Sequence, residues 1–132
     1  MRKPCVLLIS VDALMPKLVF EGSGLGLELP NIQRLFIEGG TYADQGMKSV
    51  FPAFTYTCHQ SILNGTYPEK HGTYNNIIFD PENKHNGAWY WCVSNHVENI
   101  WQLAHENGYV SASMAFPTSV GAKGDFIAPI LV

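Results

Sequence analysis

Residues 5–11 read CVLLISV, an unbroken apolar run with β-branched members, and the run stops at Asp12. Apolarity on both faces suits a central strand of a parallel sheet better than a half-exposed strand, which would alternate. Asp12 would then project from the strand's C-terminal edge. In open α/β sheets that edge is where ligands bind.

The rest of the chain alternates in the same sense. Residues 30–38 place Ile32, Leu35 and Phe36 at helical spacing and stop at Gly39-Gly40, a C-terminal signal. A second strand is predicted over 41–50. Phe51-Pro52 breaks that pattern, and a helix is predicted from Thr55 to Asn64, closed by Gly65. Residues 65–93, rich in Gly, Asn, Pro and aromatics, read as an ordered loop region with a short hairpin around Ile77 and residues 89–91. A third helix is predicted from Asn95 as cap, with Glu98 three residues on as in a capping box, an apolar face of Val97, Ile100, Trp101 and Ala104, and Gly108 as stop. Residues 109–116 read as a further buried strand. Strand, helix, strand, helix, loop, helix, strand is an α/β layer order.

Composition excludes several classes. Nearly half the residues are apolar and few are charged, which suits an ordered domain rather than a disordered tail. The formal net charge of -3 gives no basic face for nucleic acid. Cys5, Cys58 and Cys92 have no CxxC pairing, so neither a zinc knuckle nor a disulfide framework is indicated, and reduced thiols in a cytoplasmic protein are expected. The first residues lack a signal-peptide cleavage pattern, and no stretch approaches the roughly 20 apolar residues of a membrane span.

Three segments carry candidate chemistry. In FPAFTYTCH, residues 51–59, Thr55 falls where a loop turns into a helix. Unpaired N–H groups and the helix dipole favour an anion there, although Thr is equally a common N-cap. Its hydroxyl would need a metal or base to become a nucleophile. Asp12 is either a turn aspartate or a hard oxygen donor suited to zinc or magnesium. NGTYPEKHGTYNN, residues 64–76, is a turn-rich loop with clustered polar groups. Buried hydrogen-bonding roles are expected for His59 and His71, and packing for Cys58. Trp89, Trp91 and Trp101 read as core or loop packing, with one of the first two as a candidate pocket wall.

Together, the strand ending in Asp12, FPAFTYTCH and NGTYPEKHGTYNN resemble the type I phosphodiesterase/nucleotide pyrophosphatase family of the alkaline phosphatase superfamily. That family shows a strand ending in Asp, then Y/F-P-x-x-T-[FY]-P-x-H, then T-G-x-Y-P-x-x-H-G-x-x-x-N. The resemblance implies an alkaline-phosphatase-like layered α/β fold, with a mostly parallel central sheet flanked by helices. By motif position Thr55 matches the nucleophile, Asp12 the aspartate sharing a zinc with it, and Asn76 the asparagine whose amide donates to a phosphate oxygen. Two zinc ions are implied for the complete domain, with other divalent metals as alternatives, and the substrate is a small-molecule phosphodiester or nucleotide. Departures from the family include Ala13 where many members have Gly, Thr57 where Pro is common, and Phe54 where several have Lys.

The family's remaining ligands lie in a D-x-x-x-H segment, an Asp-His pair and a final His, none of which is matched here. Residues 1–132 are therefore expected to be the N-terminal portion of one catalytic domain, a truncated piece or proteolytic remnant inactive without its C-terminal metal-ligand half. The alternatives are a non-catalytic anion-binding or relic domain, or a phosphonate or phosphomonoester hydrolase of the same superfamily. No C/S-x-P-x-R motif supports the sulfatase branch.

Overall fold

The computed structural model describes residues 4–84 and 97–129, and the chain divides into two units, Met1–Lys48 and Ser49–Val132. Among the described residues the architecture is α/β, with helices and a two-stranded parallel sheet.

In the first unit, proline sets the helix starts. Pro16 and Pro30 stand in the first turns of α1 (Pro16–Phe20) and α2 (Pro30–Ile32). A first-turn N–H has no helical partner, so proline loses nothing there. Between them lies a 3₁₀ turn, Gly22–Leu25. α2 runs on as a π-helical segment, Gln33–Glu38, and the Gly39 N–H reaches back to the Arg34 carbonyl at 3.1 Å. The helix predicted over 30–38 is thus present, in a wider-wound form.

The predicted strands of this region are not. Residues 5–11 have no assigned secondary structure, and Val6 is 87% and Leu7 80% exposed. Apolarity makes a segment want burial, but a strand exists only beside a partner, and no strand is described in this unit. Residues 41–48 likewise form no strand. A turn closed by the Gly46 N–H on the Ala43 carbonyl, 2.9 Å, interrupts them. Gly46 has φ 71°, and a Cβ there would lie 2.2 Å from Pro16 Cγ, so this turn admits no side chain.

The second unit is built around α3 (Thr55–Asn64), whose predicted bounds hold at both ends. The chain enters extended at Phe54 and leaves through Gly65 at φ 62°, the left-handed residue that ends many helices. Tyr56, Leu63 and Trp101 form its buried apolar core, with Thr57, His59, Gln60 and His71 buried beside them. The region after Gly65 contains a helix the sequence reading passed over, α4 (Pro68–His71), again with proline at its start. Ile77 makes an isolated bridge. The predicted hairpin's other half, residues 89–91, lies outside the described residues, as do Cys92 and Asn95.

α5 (Ile100–Glu106) begins later than predicted. Its cap is Asn99, in a full capping box with Gln102, 3.0 Å and 3.3 Å. Val97 and Glu98 precede the helix. β1 (Ala112–Met114) is shorter than the predicted 109–116 and has only its middle residue buried, not both faces. Ala115 at φ 51° leaves the strand region and ends it. β1 pairs in parallel with β2 (Phe126–Ala128), Ser113 opposite Ile127. The Asp125 carboxylate anchors the pair, accepting from the Ser111 N–H at 2.8 Å and from His105 Nδ1 at 3.1 Å. The Ser111 N–H holds that carboxyl below its usual range, helped by His105.

Candidate active site

Thr55 is the first residue of α3, and the N-cap is Phe54, with no side-chain capping bond. The cap role open to Thr55 from sequence is therefore not the one it takes. Its side chain stands half-buried on the first turn, where helix N–H groups lack carbonyl partners.

One of those N–H groups is satisfied from outside the helix. The Tyr56 N–H donates to Asn76 Oδ1 at 3.0 Å. An N–H can meet only the amide oxygen, so the bond fixes which end of the Asn76 amide faces α3 and leaves Nδ2 as its donor. Thr55 and Asn76, far apart in sequence, are thus brought to one helix end. Asn76 is steadied in turn by its own N–H on Asn75 Oδ1, 2.7 Å.

Both histidines of the two motifs are framework residues. His59 is buried and its Nδ1 lies 2.7 Å from the Thr55 carbonyl. His71 is 2% exposed, accepting the Thr73 N–H on Nδ1 at 3.2 Å and meeting Ser61 Oγ through Nε2 at 2.9 Å. Burial pushes the His71 imidazole below its ordinary range, with nearby Glu69 opposing. Cys58 Sγ pairs with Ser49 Oγ.

Thr57 explains itself poorly. It is fully buried, and its hydroxyl has no partner among the described residues. It occupies the third position of α3, where the N–H is an orphan and proline would be tolerated.

Asp12 belongs to the first unit. The Leu14 N–H closes a turn on the Val11 carbonyl at 3.3 Å, and Asp12 Oδ1 accepts the Ala13 N–H at 3.1 Å. Ala13 has φ 59°. Positive φ is adopted freely by glycine and by alanine at a cost of roughly 1–2 kcal/mol. Alanine therefore holds this turn under strain. Among the described residues no three His, Cys, Asp or Glu side chains cluster as a metal site, and no helix is long and apolar enough to cross a membrane.

Sequence reasoning missed the support behind α3. Phe116 sets its ring edge-on to His59, centroids 5.1 Å apart, and to Trp101 at 5.6 Å. Gln60, fully buried, donates from Nε2 to Thr118 Oγ1. No local pattern joins residues so distant in the chain.

The family model described as type I phosphodiesterase / nucleotide pyrophosphatase matches residues 6–128, and the chain belongs to that family. It is 33% identical over 126 residues to human ectonucleotide pyrophosphatase/phosphodiesterase family member 1, a match covering 88% of this chain and 12% of the relative. It is 31% identical over 135 residues to family member 3 of Rattus norvegicus, covering 94% and 14%. Venom phosphodiesterase 2 of Crotalus adamanteus is 32% identical over 101 residues, covering 69% and 12%. The chain thus spans only a small part of the length of the curated relatives it matches. No solved structure matches it.

Proposed function

We propose that this chain carries the nucleophile-bearing part of a metal-dependent hydrolase of phosphodiester or pyrophosphate bonds, acting on nucleotide-type substrates in an alkaline-phosphatase-like layered fold. The observation that supports it most is the meeting of Thr55 and Asn76 at the N-terminus of α3. A tetrahedral phosphate there would face helix N–H groups and the Asn76 Nδ2 donor together, and both favour its negative charge.

In this reading Thr55 Oγ1 forms a bond to phosphorus as the bond to the leaving oxygen breaks, and the electron pair departs with the alcohol or phosphate. The hydroxyl proton is released to solvent; water then attacks the same phosphorus, the bond to Oγ1 breaks, a proton from that water restores the hydroxyl, and the phosphate product leaves. Asn76 Nδ2 donates to a non-bridging oxygen, where charge builds. A carboxylate and a hydroxyl are oxygen donors of the type zinc accepts, so Asp12 and Thr55 would hold the metal, other divalent ions being alternatives, with further ligands required beyond these motifs. When bound, zinc supplies a lowered hydroxyl pKa and neutralises phosphate charge.

The test is hydrolysis of bis-p-nitrophenyl phosphate by the full-length protein with and without zinc, beside its Thr55→Ala variant. Activity that needs the metal and falls by at least about 10³-fold in the variant is expected. A variant as active as the native protein would exclude Thr55 as nucleophile.

A further inference from the structure

We propose that His59 is a positioning residue for Thr55, clamping the peptide unit that follows it, with Phe116 as its backstop. The proposal rests on Thr55 being the nucleophile. The peptide between Thr55 and Tyr56 is gripped at both ends by side chains. Its N–H donates to Asn76 Oδ1 at 3.0 Å, and its carbonyl lies 2.7 Å from His59 Nδ1. A carbonyl can only accept, so Nδ1 carries a proton in this bond. The plane of that peptide fixes the direction in which the Thr55 Cα presents its side chain, because the two share a bonded frame. At the helix start the Tyr56 N–H has no ladder partner, so Asn76 supplies one, and His59 Nδ1 adds a side-chain hold on the carbonyl of the same peptide.

The clamp is itself supported. His59 is 6% exposed, and its ring meets the Phe116 edge at an interplanar angle of 80°. Phe116 is held by an unusual turn: Ala115 has φ 51° and Thr118 φ 65°, both left-handed without being glycine. Such conformations persist only when their surroundings impose them. Here the Ser119 hydroxyl donates to the Phe116 carbonyl at 2.7 Å, and Thr118 receives the Gln60 side chain one residue along α3 from His59. The turn after β1 is thereby fastened to the helix whose start carries Thr55.

Asparagine and glutamine separate positioning from mere packing. The Asn amide nitrogen reaches the place of Nδ1, while the longer Gln places its own nearer Nε2. With the full-length protein and bis-p-nitrophenyl phosphate, His59→Leu is expected to lower kcat by about 10²-fold, since small misplacements of a reacting group cost that much, with KM changed less than about threefold. His59→Asn should recover most of the lost kcat and His59→Gln should not. Should His59→Leu fail to fold, the Asn and Gln variants carry the test by themselves. Equal kcat in those two, or a loss expressed in KM alone, overturns the clamp. Full activity in Thr55→Ala removes its premise and overturns both readings, so the two failures are told apart.

Discussion

Asn76 performs two tasks with two ends of one amide. Oδ1 satisfies the Tyr56 N–H, and Nδ2 is left to meet a phosphate oxygen. Aspartate separates them, because a carboxylate still accepts the N–H and sits well at a helix N-terminus, yet donates nothing and repels phosphate. Asn76→Asp is therefore expected to keep the native melting temperature or raise it, while kcat/KM falls by about 10²–10³-fold. Comparable activity in the variant would assign Asn76 a structural role only. At this scale the sequence reading named Thr55, Asn76 and Asp12 by motif position, and the structure brings the first two to one helix end. It did not reach the grip of His59 on the Thr55 carbonyl, because a histidine one helical turn on reads the same whether it faces core, solvent or backbone.

At the scale of elements, the predicted helices fared better than the predicted strands, of which only 109–116 contains a described one, β1. α3 announced itself by the Phe51-Pro52 break before it and Gly65 after it, and helix ends are local chemistry. α5 was placed early because residues 95–102 contain two cap patterns in succession, Asn95 with Glu98 and Asn99 with Gln102, and the second is the one that forms the box. The runs at 5–11 and 41–50 have strand composition, but pairing is not written in a segment's own residues. α4 illustrates the converse, a short helix fixed by its last side chain. His71 ties α4 to Ser61 of α3 and to the Thr73 N–H. Its folded pKa lies below the ordinary 6.5 because burial disfavours the charged form. The unfolded chain therefore protonates first as pH falls. The stability this histidine contributes is complete above 6.5 and is lost as pH drops from 6.5 through the lower folded pKa. Chemical denaturation between pH 8 and 5 should show a decline that His71→Asn reduces; an unchanged slope in the variant would refute it.

For the molecule as a whole, the α/β class was correctly anticipated, and the described sheet is the parallel pair β1–β2. β2 went unforeseen since its three residues are too few to show a period, and its position is set by Asp125 reaching Ser111 and His105. The family is carried by motifs in both units, Asp12 in the first and Thr55 with Asn76 in the second. The proposed function puts the reacting groups at one helix end and requires that Thr55 be covalently modified during turnover. Acid quenching of the full-length protein during zinc-dependent turnover of bis-p-nitrophenyl phosphate, followed by peptide mass spectrometry, tests this directly. A p-nitrophenylphosphoryl ester on the peptide containing Thr55, absent from Thr55→Ala, is the expected result. Sustained turnover with that peptide unmodified, or the ester on another residue, would contradict it.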